Sequence, residues 1–263
     1  MNIEELRFKM MLTKDFSIYQ PDIIDIYLLL PILGVSLTFS TFFWKSLYIL
    51  LKYYNKYPQD VVLHICSLLH TMLCVGAICF FGDIHRNVLQ TSILNTWTQN
   101  SILIFSIGFF IHDFVYWEYE DHRDIVMLLH HVASVISLLY PLITGTHAAV
   151  CFVFMWTYES SNVYLHFRYL MKRYGFNKKN ERLFNLNEMC FVIAFVTQRF
   201  FIGAHFTYLL LVDQKVSNEF IKVMAIILNI LSLAFYDAIY IMVRRKHPVT
   251  GSLVAKLLGS DLY

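Results

Sequence analysis

Apolar stretches of membrane-spanning length alternate with short polar segments along almost the whole chain. A helix needs about 20 largely apolar residues to cross the hydrocarbon core of a bilayer. Windows of this kind, whose ends are accurate to a few residues, predict seven spans at residues 25–44, 61–81, 101–118, 125–143, 148–170, 187–211 and 219–243. The pattern therefore predicts an all-α fold, a polytopic membrane helix bundle of about seven transmembrane helices.

The segments between and beyond these spans are too short to form a soluble domain. We therefore expect an N-terminal extramembrane segment at 1–22, one transmembrane domain at 23–245 and a C-terminal tail at 246–263. Residues 1–22 contain no apolar core of the signal-peptide type, so the first span is expected to act as its own insertion signal. Lys and Arg collect in alternate loops, thirteen on one side against five on the other. This asymmetry predicts a lumenal or outer N-terminus and a cytosolic C-terminus.

Composition and charge agree with a membrane protein. Hydrophobic residues make up 57% of the chain and charged residues 15%, which is typical of a polytopic protein rather than a soluble domain. The formal net charge is only +2, and the basic residues lie in short loops beside the spans, so no nucleic-acid partner is expected. The five cysteines lie inside or at the edges of spans without a CxxC pair. We expect them to act as small buried apolar residues.

Polar and ionisable residues inside the spans are the candidates for function. A charged residue near the bilayer centre costs about 2.5–3.5 kcal/mol on insertion scales, so such residues usually face a bundle interior or an aqueous cavity. They are His64, His70, His112, Asp113, His130, His131, Glu159, Asn162, His166, Gln198, Arg199, His205, Asn229 and Asp237. With the predicted orientation, several of the titratable ones fall in the cytosolic half of the bundle, which predicts a polar cavity that opens toward the cytosol.

Helical spacing places these residues on faces of their helices. One stripe, at spacing i, i+3 and i+7, is formed by Glu159, Asn162 and His166. Gln198 and His205 are also seven residues apart, whereas Arg199 is rotated by about 100° from them. Arg168 lies nearly opposite Glu159 on the same helix, so we expect no ion pair between the two. Its long side chain is suited to reach the cytosolic headgroups, and this anchoring role and a site role stay open.

The HH pair has few structural explanations so deep in an apolar segment. His130 and His131, together with Asp113 and Glu159, are therefore the favoured functional centre. For isolated histidines, a hydrogen bond to a neighbouring helix or an interfacial position is favoured instead; these are His64, His70 and His205. Three other polar residues stay open between a site role and interhelical hydrogen bonding, which contributes about 0.6 kcal/mol per pair; they are Gln198, Asn229 and Asp237.

No metal centre and no tightly bound cofactor are expected. Imidazole is a common ligand for iron and zinc, but the chain lacks the several HxxxH or HxxHH boxes of a membrane di-iron enzyme. A retinal pigment would need a lysine in the middle of the seventh span, and Lys222 lies at its start.

The region 108–170 resembles the TLC domain, which is shared by ceramide synthases, translocating-chain-associating membrane proteins and other, less well characterised TLC-domain proteins. The matching features are Asp113 in the span before the pair, the HH pair at 130–131, and an E-x-S-x(6)-R element. That element consists of Glu159, Ser161 and Arg168. The resemblance is expected to extend over residues 25–245 and implies a TLC-like bundle.

The chain departs from the ceramide synthase pattern after the pair. Ceramide synthases carry H-D-x-x-D about 27 residues beyond HH, whereas residues 157–161 here read TYESS. The HD at 112–113 precedes the pair and is not that element. The chain is therefore more similar to the other TLC-domain proteins, although Glu159 supplies a carboxylate at a similar depth.

The resemblance implies a role in lipid metabolism or homeostasis in the endoplasmic reticulum. One hypothesis is acyl transfer from acyl-CoA, as co-substrate, to a lipid amine such as a sphingoid base. His130 or His131 would act as base or nucleophile, oriented by Asp113 or Glu159. The expected substrate-binding residues are His112, Ser161, Asn162, His166, Arg168, Arg199 and Asp237. The basic loop 171–182 is expected to set topology, and binding of CoA phosphates is the alternative.

The second hypothesis is non-catalytic. A protein that retains the cavity without the reaction would bind, sense or transfer lipids, or handle cargo, and a third possibility is an accessory subunit of a membrane complex. Expected partners are membrane lipids, including a fatty acyl chain, and a homodimer or larger membrane complex stays open.

Overall fold

The computed structural model describes residues 23–82, 89, 93–119, 125–213 and 218–246, with the backbone alone at 23–30, 116–119, 237–238 and 242–246. The predicted segment 1–22 and residues 247–263 of the predicted tail lie outside the described residues.

The described residues form helices and no strand. The ten α-helices among them are α1 (Ile23–Ile49), α2 (Gln59–Phe81), α3 (Trp97–Tyr119), α4 (Ile125–Thr144), α5 (Ala148–Glu159), α6 (Asn162–Arg173), α7 (Phe176–Lys179), α8 (Glu181–Phe195), α9 (Ala204–Val212) and α10 (Glu219–Lys246). Two π-helical segments, Leu50–Tyr54 and Val196–Gly203, continue α1 and join α8 to α9. The all-α prediction is confirmed.

Five helical segments in the described ranges are long and apolar enough to cross a membrane. They are Pro31–Tyr54, Gln59–Phe81, Ile125–Thr144, Glu181–Val212 and Glu219–Ile241. The prediction of a polytopic membrane bundle is therefore confirmed. The predicted third span coincides with the 23-residue helix α3, and the predicted fifth span is divided into the 12-residue helices α5 and α6.

The division between α5 and α6 lies at Ser160 and Ser161. Both the backbone N–H and the hydroxyl of Ser160 donate to the carbonyl of Trp156, at 3.1 and 2.6 Å. A serine hydroxyl that competes for a helix carbonyl in this way tends to bend the helix. The break separates Glu159, the last residue of α5, from Asn162, the first residue of α6.

Helices α1 and α3 approach each other closely at Gly108. A Cβ atom at this position would lie 2.9 Å from the backbone carbonyl carbon of Ser40. The Ser40 hydroxyl and the Trp44 indole N–H both donate to the carbonyl of Phe105, each at 3.2 Å. Small residues that admit a neighbouring backbone are typical of packed membrane helices.

Asn95 joins three parts of the bundle at the end of α4 that is distant from the HH pair. Its amide N–H groups donate to the carbonyl of Pro141 at 2.7 Å and to the side chain of Asn100 at 3.1 Å. Its amide oxygen accepts from the N–H of Ala148 at 2.9 Å, at the start of α5. The side chain is 5% exposed, so these bonds fix the turn between α4 and α5.

Candidate functional site

A cavity of about 760 Å³ lies within the bundle. Its wall is formed by residues of α2, α3, α4, α5, α6, α8, α10 and the second π-helical segment. Five phenylalanine rings make much of the wall apolar: Phe109, Phe110, Phe191, Phe195 and Phe235. Eight of the eleven predicted site residues also line it: Asp113, His130, His131, Glu159, Asn162, His166, Arg168 and Arg199.

His131 and Asp113 form a buried pair across α3 and α4. The imidazole Nε2 lies 3.2 Å from the carboxylate Oδ2, and both side chains are almost completely buried. A carboxylate in this position fixes the orientation of the ring and leaves Nδ1 as the other functional nitrogen. This is the geometry of a base with its orienting residue.

His130 faces a different neighbour from His131. Its ring meets Phe235 of α10 edge-on, with centroids 6.0 Å apart. Successive residues of an α-helix are rotated by about 100°, so adjacent histidines on α4 point toward different helices. His131 therefore pairs with α3, while His130 lies against α10.

Glu159 is held by hydrogen bonds at the end of α5. The Thr71 hydroxyl donates to Oε2 at 2.9 Å, and the Asn162 amide donates to the same oxygen at 3.4 Å. The role of Thr71 was not predicted, because hydropathy does not distinguish a threonine in a span. The available signal was the spacing i, i+3 and i+7 of His64, Ser67 and Thr71, all of which line the cavity.

Arg199 lies in the π-helical segment and is 5% exposed. Its Nη2 donates to the carbonyl of Tyr158 at 2.7 Å and to the Asn162 side chain at 3.2 Å. The rings of Tyr158 and Phe195 lie 5.1 and 4.7 Å from the guanidinium carbon. The carbonyl that Arg199 binds belongs to the last turn of α5, directly before the helix break. Wide π-helical turns occur frequently at functional sites.

His64 and His166 form a second imidazole pair in the cavity wall, with Nδ1 atoms 2.9 Å apart. The ring of His64 also stacks on Tyr169 with a centroid distance of 3.6 Å. His64 thus has the predicted bond to a neighbouring helix, and in addition faces the cavity. Arg168 pairs with Glu188 of α8 at 2.9 Å, and Glu188 is a lining residue that was not predicted.

Three predicted substrate-binding residues are not among the described wall residues. His112 is buried on α3, where its ring lies 5.7 Å from that of Tyr48, because it is rotated by about 100° from Asp113. Ser161 is buried at the helix break. The side chain of Asp237 lies outside the described residues. Within the described ranges, no group of three or more His, Cys, Asp or Glu residues is arranged to hold a metal ion.

A family model for the TLC domain matches residues 71–243, more than half of the chain. The chain belongs to the TLC-domain family. The matched region begins at Thr71 and includes the HH pair, Asp113 and Glu159, so the resemblance in the sequence is confirmed. No solved structure matches the chain significantly.

A smaller apolar cavity of about 50 Å³ adjoins the larger one in this TLC-domain bundle. The two cavities share Phe110, His130 and Glu159 in their walls. The remaining wall comes from α4, α5 and α10 and includes Leu138 and Leu228. His130 therefore lies between a mixed polar cavity and a mainly apolar one.

Proposed function

We propose that this TLC-domain protein acts in lipid metabolism and transfers an acyl group from acyl-CoA to a lipid amine or hydroxyl. The observation that carries the proposal is the buried His131–Asp113 pair in the wall of a cavity that is also lined by five phenylalanine rings. Such a cavity suits a lipid substrate, since ligand sites are mostly apolar with a few polar groups that fix orientation.

The proposed reaction uses His131 as the general base. Nε2 is oriented by Asp113, so Nδ1 accepts the proton from the amine or hydroxyl as that group attacks the thioester carbonyl. A C–N or C–O bond forms, the C–S bond breaks, and the CoA thiolate leaves and takes up the proton. Glu159 is bound by Thr71 and Asn162, so Asp113 is the carboxylate that orients the base.

The proposal includes a cellular setting. We place the protein in the endoplasmic reticulum with a lumenal N-terminus and a cytosolic C-terminus, which gives a water-soluble acyl-CoA access from the cytosol. Sphingoid bases are the first acceptors to test. A homodimer or larger membrane complex is compatible with the proposal and is tested by the mass of the purified particle.

The deciding experiment is acyl transfer from acyl-CoA to long-chain bases by purified protein in mild detergent. His131→Ala should lower turnover by about 10²-fold or more, because general base catalysis contributes about 10²–10⁴-fold. His205→Ala is the matched control, since His205 is exposed and does not line the cavity. Folded wild type without turnover on any lipid acceptor would contradict the proposal, and an unchanged His131→Ala would remove His131 from the reaction.

A second candidate is non-catalytic lipid binding. It is favoured by the TYESS sequence at 157–161, in place of the H-D-x-x-D element, and by the use of Glu159 as a hydrogen-bond acceptor within the bundle. Mass spectrometry of lipids that co-purify with the protein tests it. If lipid is bound without turnover, and His130→Ala and His131→Ala lower only the thermal stability, the pair is structural and the second candidate replaces the first.

A further inference from the structure

Arg199 is a buried cation, and among the described residues its hydrogen-bond partners are neutral. They are the carbonyl of Tyr158 and the side-chain oxygen of Asn162. None of the four ion pairs between described side chains includes Arg199. In the part of the chain that the structure describes, its Nε has no hydrogen-bond partner. A buried charge is costly unless it is paired, so this guanidinium has an unused capacity to bind an anion.

The surroundings of Arg199 strengthen its attraction for an anion. Its guanidinium carbon lies within 6.0 Å of the Phe235 ring and closer to the rings of Tyr158 and Phe195. These rings and the burial of Arg199 lower the effective dielectric constant around the guanidinium, and electrostatic interactions are stronger where that constant is low. The planar guanidinium is also the side-chain group that best matches a carboxylate geometrically.

Among the described residues, Glu159 is a charged neighbour of Arg199, and an amide separates the two side chains. The Asn162 side chain donates to Glu159 and accepts from Arg199. Glu159 therefore balances part of the cation's charge without contacting it. This arrangement suits a ligand with a single negative charge, because each further charge would be repelled by Glu159 at close range.

The remainder of the cavity suits a hydrocarbon chain. Five phenylalanines line it, and its volume of about 760 Å³ lies within the usual range of about 300–1,000 Å³ for small-molecule sites. We infer that Arg199 binds the carboxylate of a long-chain fatty acid in this cavity. The inference rests on the proposed use of the cavity for a lipid, but it holds whether or not acyl transfer takes place.

The test is a binding measurement without acyl-CoA, so that its outcome is independent of turnover. Palmitate, hexadecanol and lysophosphatidic acid are compared on purified protein in detergent, as a carboxylate, a neutral analogue and a phosphate. Wild type should bind palmitate more tightly than either of the others. Arg199→Gln should weaken palmitate binding by roughly tenfold or more and leave hexadecanol binding within about twofold, because one charge-assisted contact is lost. Arg182→Gln makes the same change at an exposed position and should have no effect.

Glu159→Gln should change palmitate binding in the direction opposite to Arg199→Gln. This second test remains valid even if the Arg199 variant does not fold. Glu159→Gln keeps an acceptor for Thr71 but removes the negative charge, so palmitate should bind several-fold more tightly. Equal affinity of wild type for palmitate and hexadecanol, or unchanged palmitate binding by Glu159→Gln, would overturn the inference. A preference for lysophosphatidic acid over palmitate would overturn the assignment of the anion as a carboxylate.

Discussion

Thr71→Val tests how strongly the buried carboxylate of Glu159 depends on its hydrogen bond from α2. The two side chains are 1% and 4% exposed, and the bond between them measures 2.9 Å. Valine has nearly the shape of threonine but no hydroxyl. Since a hydrogen bond to a charged group contributes about 1.5–3 kcal/mol, we expect the free energy of unfolding to fall by about 2 kcal/mol. For a chain of this size, that corresponds to a fall in Tm of roughly 4–8 °C.

The free energy of unfolding is measured in one fixed detergent for wild type, Thr71→Val, Glu159→Gln and the double variant, which together form a double-mutant cycle. In the background of the Glu159→Gln variant the bond is neutral, so Thr71→Val should cost only about 1 kcal/mol. The coupling energy is then about 1 kcal/mol. Thr38→Val is the matched control, because Thr38 is exposed and bonds only within its own helix, and it should stay within about 0.5 kcal/mol of wild type. A loss below about 0.5 kcal/mol for Thr71→Val, or an equal loss in both backgrounds, would refute the reasoning.

Three further predictions concern the packing of the bundle and are tested in the same unfolding assay. Gly108→Ala should destabilise the protein by about 1–3 kcal/mol, because the added methyl group overpacks against α1. Gly34→Ala has no atom within 4 Å of the added Cβ and should stabilise the protein by up to about 1 kcal/mol; equal effects of the two substitutions would contradict the close approach of α1 and α3 at Gly108. Asn95→Ala should cost about 2 kcal/mol or more, because it removes two buried hydrogen bonds and one part-buried hydrogen bond. A loss under about 1 kcal/mol would show that the α4–α5 turn is held by other contacts. The Arg168–Glu188 pair should give a coupling energy of about 1 kcal/mol that decreases with added salt, and no coupling at low salt would argue against the pair.

The helical bundle was predictable because hydropathy depends on residues averaged over a whole span. The break at Ser160 was not, since a hydroxyl bond like that of Ser160 to the carbonyl of Trp156 also occurs inside an unbroken helix, from Ser134 to His130. A window over 148–170 still reads as one apolar segment.

Helical spacing placed Arg199 on a different face from Gln198 and His205, and the structure has Arg199 in the cavity wall and His205 exposed. The sequence did not show the backbone conformation at this point. The intervening residues are π-helical, and their wider turns change the rotation per residue. The stripe of Glu159, Asn162 and His166 does face the cavity, even though the helix is interrupted within it.

The π-helical segment Val196–Gly203 also has a consequence for changes in chain length. A π-bulge contains one more residue per turn than the α-helix around it, so deleting a single residue there lets the segment close into α-helical turns while α8 and α9 keep their registers. The same deletion within Glu181–Phe195 would rotate one part of the helix by about 100° relative to the other. A one-residue deletion at 196–198 should therefore yield a folded protein in which Arg199 no longer reaches Tyr158. The protein should still fold after this deletion, but Arg199 would no longer lie in the wall of the cavity.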